Sequence, residues 1–276
     1  RWARPSHTTR RACQSRWLQA PELIVVLVVF RVDASLDIGS GHVMRCLTLA
    51  NEIRQRGGDC RFLCRRHDGN LIDAIQHSGY QVIGLPYSDQ GMQLKSTLSA
   101  SDQYSQWLGV DWQIDVSECR AVLLDWQRER TIDWLIVDHY ALDAKWERAM
   151  TGMAEHILVI DDLANRAHHC HALLDQNIGR VPESYSDMVN RDCRLMTGTS
   201  YALLRPEFAK LRAASLLRRS NNHPKNMLIS LGGVDKDNAT GLILENLSLC
   251  ALPTDLNITV VMGPHAPWQQ HVRSQL

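Results

Sequence analysis

Short runs of β-branched and aliphatic residues alternate along the chain with longer segments whose apolar residues recur at helical spacing, and this alternation narrows the possible folds more than any other feature. It is the signature of βαβ units, which assemble into parallel sheets. Candidate strands are Leu23 to Arg31, Cys60 to Cys64, Gln81 to Leu85, Trp134 to Asp138, His156 to Asp161, Ala172 to Asp175 and Asn226 to Leu231. Between the first two, Val43, Cys46, Leu47, Leu49, Ala50 and Ile53 fall at helical spacing, and Gly57-Gly58 ends the element. Strand, glycine turn, helix, strand is the start of a doubly wound α/β fold.

The 276 residues suffice for one large or two medium domains. The pattern divides them into a non-native or disordered leader over 1–22, a Rossmann-like unit over 23–210, a linker over 211–225, and the start of a second, incomplete Rossmann-like unit over 226–276. The linker is expected where Arg212, Arg218, Arg219, Ser220, Asn221, Asn222, His223 and Pro224 make the chain basic and turn-rich. The polar stretch from Asp89 to Glu129, with Trp107, Trp112 and Trp126 among charges, is expected to form helices on the sheet's flank.

Arginines near the N-terminus followed by the apolar run Ile24 to Phe30 imitate a signal peptide. The run is short, however, and passes directly into Arg31-Val32-Asp33-Ala34-Ser35, so it reads as a buried first strand. No segment approaches the roughly 18 apolar residues of a membrane span. Thirty basic residues balance thirty acidic ones without a basic run, which argues against nucleic acid as the main partner. Eight cysteines at irregular spacings read as reduced, mostly buried thiols and point to a cytoplasmic protein. Cys60 and Cys64 have no second pair to complete a zinc site.

Two glycine turns carry the chemistry. The first is Asp37-Ile38-Gly39-Ser40-Gly41-His42-Val43-Met44-Arg45. Gly39 and Gly41 let the unpaired amides of a helix N-terminus approach an anion, and His42 is a titratable group where strand becomes helix, at the carboxyl edge where α/β proteins bind ligands. A histidine can also occupy that place for structural reasons alone. The second turn is Leu231-Gly232-Gly233-Val234-Asp235-Lys236-Asp237-Asn238, which again puts small residues and free amides before a helix. It suits a diphosphate or is simply a tight turn. Facing each other, the two would form a cleft.

Asp138-His139-Tyr140 and Asp161-Asp162 each end a candidate strand and can line the same crevice, although paired aspartates also cap helices and turns. The run His168-His169-Cys170-His171 resembles a metal site but lacks a distant completing ligand, and reads as a surface turn. Arg205, in the apolar stretch Ala202 to Phe208, is expected to be partly buried and paired with Glu207 or a bound phosphate.

Taken together, Arg31 to Ser35, Gly39 to Arg45, Val137 to Tyr140, Ile160 to Asp162, Leu174-Asp175-Gln176-Asn177, Tyr201 to Phe208 and Leu231 to Asp235 resemble the UDP-2,4-diacetamido-2,4,6-trideoxy-β-L-altropyranose hydrolases of bacterial pseudaminic acid biosynthesis. That resemblance implies two Rossmann-like domains of the GT-B glycosyltransferase type. It also implies hydrolysis of the anomeric C–O bond of a UDP-sugar with inversion, releasing UDP without a required metal or cofactor. By the same resemblance His42 is the catalytic histidine. Tyr140, Asn177 and Arg205, together with Gly39, Gly41, Arg45, Gly232 and Gly233, are expected at the substrate, the last two at the UDP phosphates. His171 stands where relatives usually carry an aspartate. A glycosyltransferase using the same cleft, or an inactive nucleotide-sugar-binding fragment, remain the alternatives.

Overall fold

The computed structural model describes residues 25–87, 104–219, 225–263 and 266–275. The expected leader lies outside them, as do Asp89 to Gln103 and the stretch from Ser220 to Pro224. A seven-stranded, wholly parallel sheet forms the main body: β1 (Leu27–Val32), β2 (Asp59–Arg65), β3 (Gln81–Leu85), β4 (Trp134–Asp138), β5 (His156–Ile160), β6 (Ala172–Asp175) and β7 (Arg194–Thr197), in the order β3-β2-β1-β4-β5-β6-β7. The chain runs outward from β1 through β3 and then returns to the other side of β1 with β4. The strand order therefore reverses between β1 and β4, and a crevice opens there at the carboxyl edge.

All six residues of β1 are buried, because odd and even positions face two separate cores. Leu27 and Val29 pack with Leu135, Val137 and Val159 under Cys119, Leu123 and Trp126 of α3 (Trp112–Glu129) and Trp146 of α4 (Ala144–Ala149). Val28, Phe30 and Val32 face Val43, Cys46, Leu47 and Ala50 of α1 (Gly41–Gln55) and Ile72 and Ile75 of α2 (Ile72–His77). The apolar run that imitates a signal peptide thus supplies an interior strand of the sheet, beside the central β4.

The second unit pairs β8 (Asn226–Ile229) with β9 (Asn257–Val260) in parallel, next to α6 (Ala239–Ser248) and α7 (Gln269–Gln275). Its core is small: Ile229, Leu244 and Val272 are buried, with Met227, Ile243, Leu247, Ile258, Val260 and Met262 packed around them.

Three expectations are corrected. The linker's first half is helical, within α5 (Pro206–Arg218), because Arg205-Pro206 starts a helix cleanly and the alanines and leucines that follow favour it; α5 buries none of its residues. Arg205 is exposed, not partly buried, and its guanidinium lies over the Phe208 ring at 5.5 Å, a cation–π contact in place of an anionic partner. The run from His168 to His171 is no surface turn, since His168 and Cys170 are buried. Glu147 of α4 explains that burial: one carboxylate oxygen lies 2.7 Å from His168 Nδ1, and the other accepts from the His169 amide. The helix expected on the sheet's flank is present as α3, whose Trp126 is in the core, while Trp107 ahead of it stacks on Tyr140 at the carboxyl edge.

Candidate functional site

His42 is the second residue of α1 and reaches across the switch point to Asp138, the last residue of β4. Its Nδ1 lies 2.6 Å from Asp138 Oδ1, with the histidine side chain 9% exposed and the aspartate fully buried. Arg45, three residues on and so on the same helix face, places Nε 2.6 Å from Asp138 Oδ2 and one terminal nitrogen 2.6 Å from Oδ1. Burial alone would raise the Asp138 carboxyl. The charges and hydrogen bonds of His42 and Arg45 outweigh it and hold the group well below the usual carboxylate range. An ionised Asp138 can only accept, so His42 Nδ1 is the donor in this contact, and Nε2 is the ring nitrogen left for other chemistry.

Arg45 also pairs with Asp162, two residues past the end of β5, and Tyr140 donates to the same carboxylate at 2.8 Å. Burial and the adjacent Asp162 push the Tyr140 hydroxyl up, so it stays protonated. The Tyr140 ring meets His42 edge-on at 4.6 Å between centroids, stacks on Trp107 at 5.6 Å, and contacts Tyr104. An aromatic wall thus flanks the histidine. Asn177 donates to the Asp162 carbonyl at 3.3 Å and Arg180 to the same oxygen at 2.8 Å, which ties the end of β6 to the cluster.

Behind this edge lies a fully desolvated ion network. Arg31 bridges Asp33 and Asp115 at 2.6 Å each, Arg65 joins Asp115 at 2.6 Å, and Trp146 Nε1 donates to Asp115 at 2.9 Å. His139, next to Asp138, accepts from the Ala141 amide through Nδ1 and turns Nε2 toward Asp33 Oδ2 at 3.3 Å. Burial lowers His139, with Asp33 opposing, so it is a neutral strut. The network links β1, β2, α3, α4 and the end of β4, and so holds the backbone that presents Asp138.

The two glycine turns face each other. A Cβ at Gly233 would stand 2.8 Å from Ser40 Oγ, and Lys236 Nζ lies 2.6 Å from Asp37. Open space surrounds Gly39, Gly41 and Gly232. The helix behind the second turn differs from expectation, because its amides are already taken: Asp235 accepts from Ala239 and Thr240 at 2.9 and 3.0 Å, and Asn238 from Gly241 at 3.2 Å. The amides of Gly232, Gly233 and Val234 in the loop itself make no hydrogen bond among the described residues. In the first turn Ser40 provides no side-chain cap, and the amides of Gly41, His42 and Val43 point out of an uncapped helix start.

Of the expected site residues, His42, Arg45 and Tyr140 form one cluster with Asn177 at its margin, and Gly39, Gly41, Gly232 and Gly233 line the opposed turns. Arg205 is not brought to the cluster and contacts Phe208. The sequence pattern leaves the roles of Asp138 and Asp162 open and gives no sign of Trp107 and Tyr104 there. For Asp138 a signal existed: His42 and Arg45 share a helix face, and a carboxylate at the strand end across the switch point satisfies both.

No protein-family model matches the chain. It is 30% identical over 226 residues to the UDP-2,4-diacetamido-2,4,6-trideoxy-β-L-altropyranose hydrolase of Campylobacter jejuni, covering 80% of this chain and 63% of that protein. It is 26% identical over 248 residues to an uncharacterized protein of Methanocaldococcus jannaschii, covering 88% of this chain and 44% of that one. The chain therefore spans less than two thirds of the length of either relative. Among solved structures it resembles MurG of Acinetobacter baumannii, with a TM-score of 0.52 at 11% identity over 91% of this chain and 63% of that one. That likeness bears out the fold: α/β, with Rossmann-like units of GT-B type. No helix among the described residues is long and apolar enough to cross a membrane.

Proposed function

We propose that the chain carries the catalytic side of a UDP-sugar hydrolase acting on a 2,4-diacetamido-2,4,6-trideoxy sugar, with His42 as general base. The observation that carries this reading is the 2.6 Å contact of His42 Nδ1 with the buried, doubly Arg45-bonded Asp138. A histidine that donates through Nδ1 and keeps Nε2 for other chemistry is what deprotonating a water beside an anomeric carbon requires. The water oxygen bonds to C1 on the face opposite the leaving group, its proton passes to Nε2, and the C1–O bond breaks with its electron pair on the β-phosphate. Inversion follows from that geometry. The charge developing on UDP would be met by the free amides of Gly41, His42 and Val43 on one side and Gly232, Gly233 and Val234 on the other. UDP departs as a stable anion, so no second carboxylic acid is needed to protonate it.

Arg45 acts as a positioning residue, since its guanidinium is consumed by Asp138 and Asp162, and Asp162 positions Arg45 and Tyr140 through Oδ2. Tyr140 and Trp107 offer a face against which the sugar ring and its acetamido groups can lie. The similarity to the Campylobacter protein supports the choice of substrate class; a place in pseudaminic acid synthesis and flagellin glycosylation, and a cytoplasmic location, enter this proposal through the sequence resemblance alone.

The test is turnover of the UDP-sugar in heavy-oxygen water. The label is expected in the free sugar, and its appearance in UDP would mean attack at phosphorus and overturn the mechanism. UDP release that accelerates only when a sugar acceptor is added would favour the glycosyltransferase reading.

A further inference from the structure

At the opposite, amino-terminal edge of the sheet, two thiols sit side by side. Cys170 precedes β6 and Cys193 precedes β7, with their Sγ atoms 3.6 Å apart. These strands are parallel neighbours, with Ala172 opposite Arg194. Adjacent strands lie about 4.8 Å apart. By that register Cys193 stands opposite His171, one residue beyond Cys170, so a rise of about 3.3 Å along the strand combined with that spacing puts the two Cα atoms about 6 Å apart, within the roughly 4.4–6.8 Å that a disulfide spans. Asn190 holds the backbone of both cysteines in place: its side-chain oxygen accepts from the Cys170 amide at 3.1 Å and its carbonyl from the Cys193 amide at 3.0 Å. Bond formation therefore asks the sulfurs to close from 3.6 Å to about 2 Å.

The surroundings favour reaction over burial as inert thiols. Cys170 lines a cavity of about 420 Å³ with His169, His171, Asn190 and Asp192, and Cys193 is only partly buried. The two thiols share a hydrogen bond in which either sulfur can donate, and burial pushes the Cys170 thiol up. Cys193, the more exposed of the two, is the thiol that an oxidant in solution reaches first, and buried Cys170 beside it is placed to resolve the adduct. Cys46, Cys60, Cys64 and Cys119 are all fully or nearly fully buried, and Cys250 is exposed with only the Asn246 carbonyl as partner.

We propose that Cys170 and Cys193 form a reversible intramolecular disulfide by exchange with a low-molecular-weight disulfide. The Cys193 thiolate attacks one sulfur of the oxidant, forming a mixed disulfide and expelling one thiolate. Cys170, losing its proton to solvent, then attacks Cys193 Sγ and expels the second thiolate. The two protein thiols are oxidised, and one disulfide is reduced to two thiols. The bond closes the segment from 170 to 193, including the connection between β6 and β7, and leaves the His42 cluster at the far edge untouched.

The experiment uses glutathione disulfide, followed by iodoacetamide, trypsin and mass spectrometry. The expected product is the peptide 167–180 linked to 192–194, lighter than the sum of the two by two hydrogens and separated by dithiothreitol. Exposed Cys250 should stop at the glutathione adduct and serve as the internal control. If Cys170 and Cys193 are both alkylated, or each carries glutathione, under conditions that fully modify Cys250, the proposal is overturned. Cys170→Ser should leave a glutathione adduct on Cys193, several-fold more abundant than in the wild type, and no increase there also overturns it. The wild-type peptide map decides the matter even if that variant does not fold.

Discussion

The two glycine turns look alike in sequence and differ in what the structure leaves available. Both follow a strand, both precede a helix, and they meet where Gly233 lies against Ser40. At the first, α1 begins without a side-chain cap or an acidic residue in its first turn, so its amides and the positive end of its dipole remain open beside His42. At the second, Asp235 and Asn238 cap α6 and use up the corresponding donors, which leaves only the loop amides before the helix. A glycine-rich turn before a helix therefore permits an anion site without specifying one. Whether the site exists depends on which side chains reach the amides first.

The largest test of this contrast removes what makes the first turn chemical. His42→Ala is expected to lower hydrolysis by about 10²- to 10⁴-fold, the usual contribution of a general base, while UDP binding measured by calorimetry stays near the wild-type value. Unchanged turnover would take His42 out of the chemistry. Asp138→Asn leaves Arg45 facing Asp162 alone and a buried amide in place of a charge, and should cost about 3–5 kcal/mol in chemical denaturation.

The pH dependence follows from the same group. Because its folded pKa is depressed, Asp138 contributes stability in full above the ordinary carboxylate value of about 4 and loses it as pH falls toward the lower folded value. Thermal melts of Asp138→Asn should accordingly show a shallower acid limb than the wild type. Parallel acid limbs would mean that the pair is not ionised as described.

Exchanging the caps sharpens the comparison. Ser40→Asp gives α1 a carboxylate like that of α6, and should add about 0.3–1 kcal/mol of stability through the helix dipole while weakening UDP binding. Asp235→Ala removes the cap from α6 and should cost about 1 kcal/mol. If Ser40→Asp binds UDP as well as the wild type, the uncapped helix start is not part of the anion site. The smallest effect is expected from Lys236→Ala. It breaks an exposed ion pair to Asp37 between the two units and should leave the melting temperature unchanged within error.

Much of the fold was legible because parallel strands buried on both faces must be nearly all apolar. Trp134 to Asp138 and Ala172 to Asp175 emerge with the expected bounds for that reason, and β1 is shifted by only a few residues. β7 and β9 have two apolar residues each and no fully buried position, too little signal to register, and α2 and α4 are six-residue helices too short for a helical period to appear. The position of His42 was readable because a glycine turn after the first strand marks the carboxyl edge. Its partners were not, since Asp138 is 96 residues away and Trp107 lies in a segment whose polarity suggested a flank.

The sequence by itself determined an α/β fold with parallel strands, the two glycine turns, and a histidine at the switch point, because these follow from local periodicity and from backbone angles that glycine alone adopts freely. Only the tertiary structure decided which carboxylate orients that histidine, that Arg45 is consumed by two acids, that α6 is capped from within, and that Arg205 stays out of the cluster. Those outcomes depend on which side chains arrive within hydrogen-bonding distance across strands, and the strand order that brings them together is a property of the whole sheet.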